Sequence, residues 1–290
     1  MTRDNYYFLL YANCIPVQGH VKSIICDLEQ RTTLDIPNLL CNILQLNAQQ
    51  KFIVKDLKER YDNQYNEGID AFFDHLEKIK LGFFTLTPDL YSNLDLSWYS
   101  PFDITNAIVE ISNKSQYDVK AVLQQLDTLG TKAIEIRFLG NYNFELISEL
   151  LFSFGNSRIK SFHLFIQYAN KQDIKNAIQL IKKQLRISKV VFYKMIDEIP
   201  NLDLYNDFIR FSKKTLTTNT KEKKHLDTFI LNMTSFTEAT YHNLGLNRKV
   251  CIDQYGNIKN YLSHHTIFGN VKTQRLEKVI AEPLFQRLWN

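Results

Sequence analysis

Between Ile104 and Met233 short, β-branched apolar runs alternate with helical patterns, and that alternation restricts the chain more than any other feature it carries. The runs are Ala107–Ile111, Ala133–Phe138, Phe162–Ile166, Val190–Tyr193 and Thr228–Leu231. The first four recur roughly every 27 residues, the length of a strand plus its crossover helix. Three apolar stripes fill the gaps at i, i+3, i+4, i+7 spacing. They are Val119, Val122, Leu123, Leu126 and Leu129; Leu146, Ile147, Leu150, Leu151 and Phe154; and Ile174, Ile178, Ile181 and Leu185. Strands alternating with helices of this length imply a parallel sheet joined by right-handed crossovers. Five repeats are too few to close an eight-stranded barrel. The expected class is therefore α/β, with a partial (β/α) barrel of about five parallel strands at its centre.

The N-terminal part has a different character. Tyr7–Cys14 and Val21–Leu28 read as strands separated by the turn signal Ile15-Pro16-Val17-Gln18-Gly19-His20. Thr32–Ile36 follows as a third strand, and Pro37 and Asn38 open a helix over Leu39–Leu46. Helices over Val54–Tyr61 and Gly68–Lys80 come next. The second of these has Ile69, Phe72, Phe73, Leu76 and Ile79 on its apolar side and Gly82 as its stop. Phe83–Leu86 returns as a strand. Strands, then three helices, then a strand make a winged-helix-like α+β domain over residues 1–86. Residues 87–103 read as a linker whose Trp98, Tyr99 and Phe102 dock on the barrel of residues 104–233. In residues 234–290, Lys249–Asp253 and Asn257–Tyr261 flank Gln254-Tyr255-Gly256 as a β-hairpin, and Leu276–Leu288 reads as a closing helix.

Bulk properties narrow the function. A net charge of +4 spread over 290 residues gives no basic stripe for nucleic acid. The third helix carries Asp70, Asp74, Glu77, Lys78 and Lys80, a poor composition for lying against phosphates. No stretch reaches the roughly 20 apolar residues of a membrane span, and the start lacks the apolar run of a signal peptide. The four cysteines have no CxxC spacing, which suits free thiols in a reducing cytoplasm.

The residues that could carry chemistry are few. Arg137, His163 and Lys194 lie in consecutive strand repeats and are polar candidates for the barrel mouth. Glu110 and Glu135 fall in neighbouring strands as a conceivable acid/base pair, although Glu135 beside Arg137 fits a structural ion pair better. His264 and His265, adjacent in sequence, point apart if extended and make a poor chelate. No phosphate loop, nucleophile elbow or HExxH string occurs. No catalytic residue, metal ligand or cofactor is assigned.

Several strings together resemble one family: Ala12-Asn13-Cys14-Ile15-Pro16-Val17, Ser23-Ile24-Ile25-Cys26-Asp27-Leu28, Ile104-Thr105-Asn106-Ala107-Ile108, Asn247-Arg248-Lys249 and Gly256-Asn257-Ile258-Lys259-Asn260. The chain looks like the SPASM-domain peptide maturase of grasp-with-spasm systems, which works beside an ATP-grasp ligase on a ribosomally made (graspetide-type) precursor. The resemblance implies that residues 1–86 are a RiPP recognition element, which takes a leader peptide as an extra strand. Its edge would be Thr33, Leu34, Asp35 and Ile36, and its groove wall Phe73, Leu76, Glu77 and Lys80. It implies a radical S-adenosylmethionine barrel over 104–233, whose chemistry needs a CxxxCxxC loop after the first strand.

Here that loop reads Ser112-Asn113-Lys114-Ser115-Gln116-Tyr117-Asp118, and Leu139-Gly140-Asn141-Tyr142-Asn143 replaces the expected cofactor contact. In the tail, aligned on Gly256, Gly245 and Tyr261 occupy the cysteine positions of a SPASM domain, whose later cysteines would fall beyond Asn290. Three readings follow. The chain is a pseudoenzyme that binds a leader peptide; or a fragment or variant of an iron–sulfur peptide-modifying enzyme; or a winged-helix DNA-binding regulator.

Overall fold

The computed structural model describes residues 3–196, 200, 202, 205–216 and 231–290. The chain divides into two compact units, Met1–Trp98 with Lys224–Tyr241, and Tyr99–Lys223 with His242–Asn290.

The first unit opens with β1 (Tyr7–Leu10), β2 (Cys14–Val17), β3 (Ser23–Asp27) and β4 (Thr32–Ile36). α1 (Asn38–Gln50), α2 (Val54–Arg60), α3 (Asn66–Lys78) and β5 (Gly82–Thr85) follow. The single strand expected over Tyr7–Cys14 is two. The chain turns at Tyr11–Asn13, where Cys14 N donates to Tyr11 O at 2.8 Å, and passes from one sheet into another. β1 pairs antiparallel with β5, while β2, β3 and β4 form a separate three-stranded antiparallel sheet. Pro16 belongs to β2, opposite Ile25, and not to the turn. β2 is an edge strand, the one place in a sheet where a missing N–H is tolerated.

α3 buries Ile69, Phe73 and Leu76. The Phe73 ring stacks on Phe8 with centroids 4.4 Å apart. Gly82 does not stop this helix. The left-handed residue is Lys80 (φ 61), and Leu81 N closes back on Leu76 O at 2.9 Å. Gly82 lies in β5 because a Cβ there would collide with the Phe8 ring and come within 2.6 Å of Leu9 O.

The second unit is built on β6 (Asn106–Ser112), α4 (Val119–Thr128), β7 (Ala133–Leu139), α5 (Phe144–Phe152), β8 (Ser161–Gln167), α6 (Lys171–Lys183), β9 (Ile187–Tyr193) and β10 (Ile209–Phe211). These five strands are parallel and lie in chain order, β6 to β10. An order without reversal puts every crossover helix on one face. That face holds the core: Val109, Ile136, Leu164 and Val190 from the strands meet Leu123, Ile147 and Ile181 from the helices. The stripes are shorter than expected at their ends. Leu146 is 58% exposed, and Leu185, beyond the end of α6, is 91% exposed. The expected fifth strand, Thr228–Leu231, falls at residues 228–230 outside the described residues, as does most of the polar loop before it. The fifth parallel strand is Ile209–Phe211, a run too short for periodicity to reveal.

α7 (Met233–Tyr241) returns to the first unit, where Phe236 packs with Leu231, Cys26 and Leu28. The sheet then resumes with β11 (Lys249–Ile252), β12 (Asn257–Lys259) and β13 (Gly269–Asn270), followed by α8 (Leu276–Ile280) and α9 (Pro283–Gln286). β11 and β12 form the expected hairpin around Gly256 (φ +85). The hairpin is no separate domain, because β11 pairs in parallel with β6 and so extends the sheet to eight strands. The one helix expected over Leu276–Leu288 is two, because Pro283 starts a new first turn. Tyr99, expected to dock, is 83% exposed. Phe102 does dock, under the Lys132 ammonium at 4.3 Å. Among the described residues no helix is long and apolar enough to cross a membrane.

Candidate functional site

A three-stranded sheet has two edges, and the first unit treats them differently. On β2 the proline removes a donor, and the Pro16 carbonyl accepts from Gln45 Nε2 at 3.2 Å. β4, at the other edge, is paired among the described residues with β3 alone, and it carries exposed Thr32, Thr33 and Asp35. An unpaired edge of this kind is a template for another strand. Against it lies a cleft of about 210 Å³ lined by Ile25, Asp27, Gln30, Thr32, Thr33, Leu34, Ile79 and Leu81. Strand alternation explains the lining: Leu34 is opposite Ile25 and Thr32 opposite Asp27, so their side chains share one face. α3 ends at Lys78, which leaves that face open and presents Ile79, 38% exposed, at its border.

Of the eight residues assigned to this site by resemblance, Thr33 and Leu34 line the cleft. Asp35 faces solvent in a 2.5 Å ion pair with Lys22, and Lys80 is exposed beside Ile79. Ile36 contributes only backbone, its side chain being 4% exposed. Phe73 (2%) and Leu76 (0%) are not groove wall. Their positions on α3 face the core against Phe8, so they hold the domain together. Glu77 is tied to Arg3 at 2.6 Å. Ile79 and Leu81, flanking Lys80, line the cleft instead. Ile79 already belonged to the α3 apolar stripe, whereas nothing in the sequence marked Leu81.

The same unit has a larger groove of about 1160 Å³ between the β1–β2 junction, α1 and residues 90–96. Two of its polar lining residues bond within the unit: Asn47 Nδ2 donates to Phe8 O at 2.5 Å, and Lys51 Nζ to Asp89 Oδ1 at 3.2 Å.

In the second unit, the sheet face opposite the helices sets charged groups beside the apolar cluster of Ile108, Cys251 and Leu262. Arg137 is 1% exposed, and its Nε donates to Glu135 Oε1 at 2.5 Å. His163 Nδ1 lies 3.8 Å from the other oxygen of Glu135. These two candidates therefore share one carboxylate in the middle of the sheet. Lys194 is not with them. It follows the end of β9, where its Nζ reaches Gln167 Oε1 at 3.4 Å, and Gln167 in turn reaches Asn141. Glu110 is fully buried, and burial pushes its carboxyl up to about 7, against the opposing pull of Arg137. Its Oε2 accepts from Gln254 N at 3.4 Å. It is therefore no partner of Glu135 in an acid/base pair, because Glu135 is committed to Arg137.

Cys251, the one cysteine of this unit, is buried, and burial pushes its thiol up to about 12. Its Sγ donates to Asn260 O at 3.5 Å. It is a core group, packed with Ile108 and Leu262. Among the described residues no group of three His, Cys, Asp or Glu side chains could hold a metal ion. Neither a scan against family models nor a search of curated proteins finds a match to this chain.

Proposed function

We propose that this protein is a peptide-recognising accessory factor for the maturation of a ribosomally made, graspetide-type precursor in the cytoplasm. It grips the leader and presents the rest of the peptide to a separate ATP-grasp ligase. The observation that carries the reading is the contrast between the two edges of the first unit. β2 is blunted by Pro16, while the outer edge of β4 has no partner among the described residues and borders a cleft that includes Ile25, Leu34, Ile79 and Leu81. A leader would add as a strand on β4, with backbone hydrogen bonds giving affinity and alternate side chains dropping into the cleft. The sequence supports the non-catalytic side of the reading, since no thiolate follows β6 where a radical enzyme would hold its cluster.

Panning a display library of random short peptides on the full chain, then titrating the enriched sequences, tests the proposal. Saturable micromolar binding is expected. It should fall when alternate backbone amides of the peptide are N-methylated, and fall again in Ile79→Glu. Absence of saturable binding, or binding indifferent to N-methylation, sinks it.

The unreversed order of β6 to β10 favours one other reading, an iron–sulfur peptide-modifying enzyme of partial-barrel type. Stoichiometric iron and acid-labile sulfide after anaerobic purification would establish that reading against the first.

A further inference from the structure

The residues on either side of the β4 cleft say which peptide it suits. Its lining sets the apolar Ile25, Leu34, Ile79 and Leu81 beside the polar Asp27, Gln30, Thr32 and Thr33. Gln30 and Thr32 from the β3–β4 turn and Ile79 and Leu81 after α3 are among the lining residues. Between the members of each pair stands an exposed cation outside the lining itself, Arg31 and Lys80, and both hold the left-handed backbone at φ 61. That conformation costs a non-glycine residue free energy, so neither position is one where a long side chain is the default.

The neighbouring carboxylates are already engaged. Asp27 Oδ1 accepts from Asn13 Nδ2, Glu29 N and Gln30 N, at 2.9, 3.0 and 2.9 Å. Asp35 is paired with Lys22, and Glu77 with Arg3. Glu29, exposed in the turn, is the remaining acid. Lys78 needs no ligand to account for it, since a cation in the last turn complements the helix dipole. Lys80 lies beyond the helix, and neither it nor Arg31 has an ion-pair partner among the described residues.

We infer that the cleft takes an extended peptide carrying one apolar side chain flanked by acidic residues, the apolar group entering between Leu34 and Ile79 and the acids meeting Arg31 and Lys80. This rests on the edge-addition reading above and adds to it the sequence class of the partner. Because both cations are exposed, each contact is weak alone, and the preference fades as salt screens it.

The library experiment separates the two claims. Peptides enriched on the full chain should carry Asp or Glu on either side of a Leu, Ile, Val or Met. An enriched peptide should bind about tenfold more weakly to the Arg31→Glu/Lys80→Glu variant at low salt, and the gap should shrink at high salt. Panning that variant, after circular dichroism confirms an unchanged fold, should enrich Lys and Arg instead. Enrichment without acidic bias, or affinity unmoved by the double substitution, overturns the inference while binding that remains sensitive to N-methylation keeps the edge reading. Failure to enrich any peptide, or insensitivity to N-methylation, overturns both.

Discussion

Glu110 stands directly opposite Arg137 across the β6–β7 pair, and both are shut off from solvent at 0% and 1% exposure. The pair is unequal, because the Arg137 Nε is spent on Glu135 while Glu110 receives only a 3.4 Å contact from Gln254 N on one oxygen. Asp253 and Lys259 face it from the hairpin with opposite signs, and Tyr117 donates to its backbone carbonyl at 2.5 Å. Desolvation dominates, and the carboxyl is pushed up to about 7 from its usual 4.5.

The sign of the resulting pH dependence follows from linkage. Between about 4.5 and 7 the folded chain holds a proton on Glu110 that the unfolded chain has released, so stability falls as pH rises through this window. Glu110→Gln removes the effect and should gain stability relative to wild type by an amount on the order of 3 kcal/mol at pH 8, with little gain near pH 5. Urea midpoints at several pH values check this. Parallel wild-type and variant profiles would contradict it.

Asp253 organises the hairpin turn. Its Oδ1 accepts from Tyr255 N and Asn257 N, each at 3.0 Å, and its Oδ2 accepts from Asn257 Nδ2 at 3.0 Å with Lys259 Nζ at 3.5 Å. Asp253→Ala leaves those donors without their acceptor and should cost about 3 kcal/mol. Hydrogen exchange should accelerate over residues 249–260 before it does in β7 and β8. Unchanged protection of the hairpin would refute the assignment.

Gly82→Ala places a methyl group against the Phe8 ring and Leu9 O. Overpacking of this kind is expected to destabilise the first unit by about 2 kcal/mol. The chemical-denaturation transition of that unit should shift, with the second unit unaffected. Gly140, whose added Cβ would meet nothing within 4 Å, is a control for space but not for backbone, since its φ is +103.

All four cysteines are buried. Burial pushes both Cys14 and Cys251 up to about 12. Thiol labelling of the native protein at pH 8 should therefore leave Cys251 unmodified, while labelling in guanidinium modifies all four. Rapid native labelling of Cys251 would show that it is accessible and ionised, against its assignment to the core.

The strand–helix alternation was legible because each crossover repeats one length and each helix one stripe. What escaped has identifiable causes. Residues 209–211 form a strand held by pairing with β9, and three residues carry no period. The parallel docking of β11 on β6 is a long-range pairing that no local pattern encodes. Gly82 reads locally as a helix stop, but the close approach of Phe8 demands it. At the candidate site, the apolar stripe of α3 marked Phe73, Leu76 and Ile79 alike. Only the position at which the helix ends separates the two that face the core from the one at the cleft. Arg31 and Lys80 looked like ordinary surface cations, because their shared backbone conformation is a property of the fold.

The β6–β11 pairing also sets a timetable for the chain. Thr105 meets Arg248 at a sequence separation of 143, so one flank of β6 gains its β11 neighbour only long after β6 itself has been made. Closing so large a loop delays the last step of sheet assembly. Until β11 has been made, the nascent chain offers that flank of β6 as a bare parallel edge.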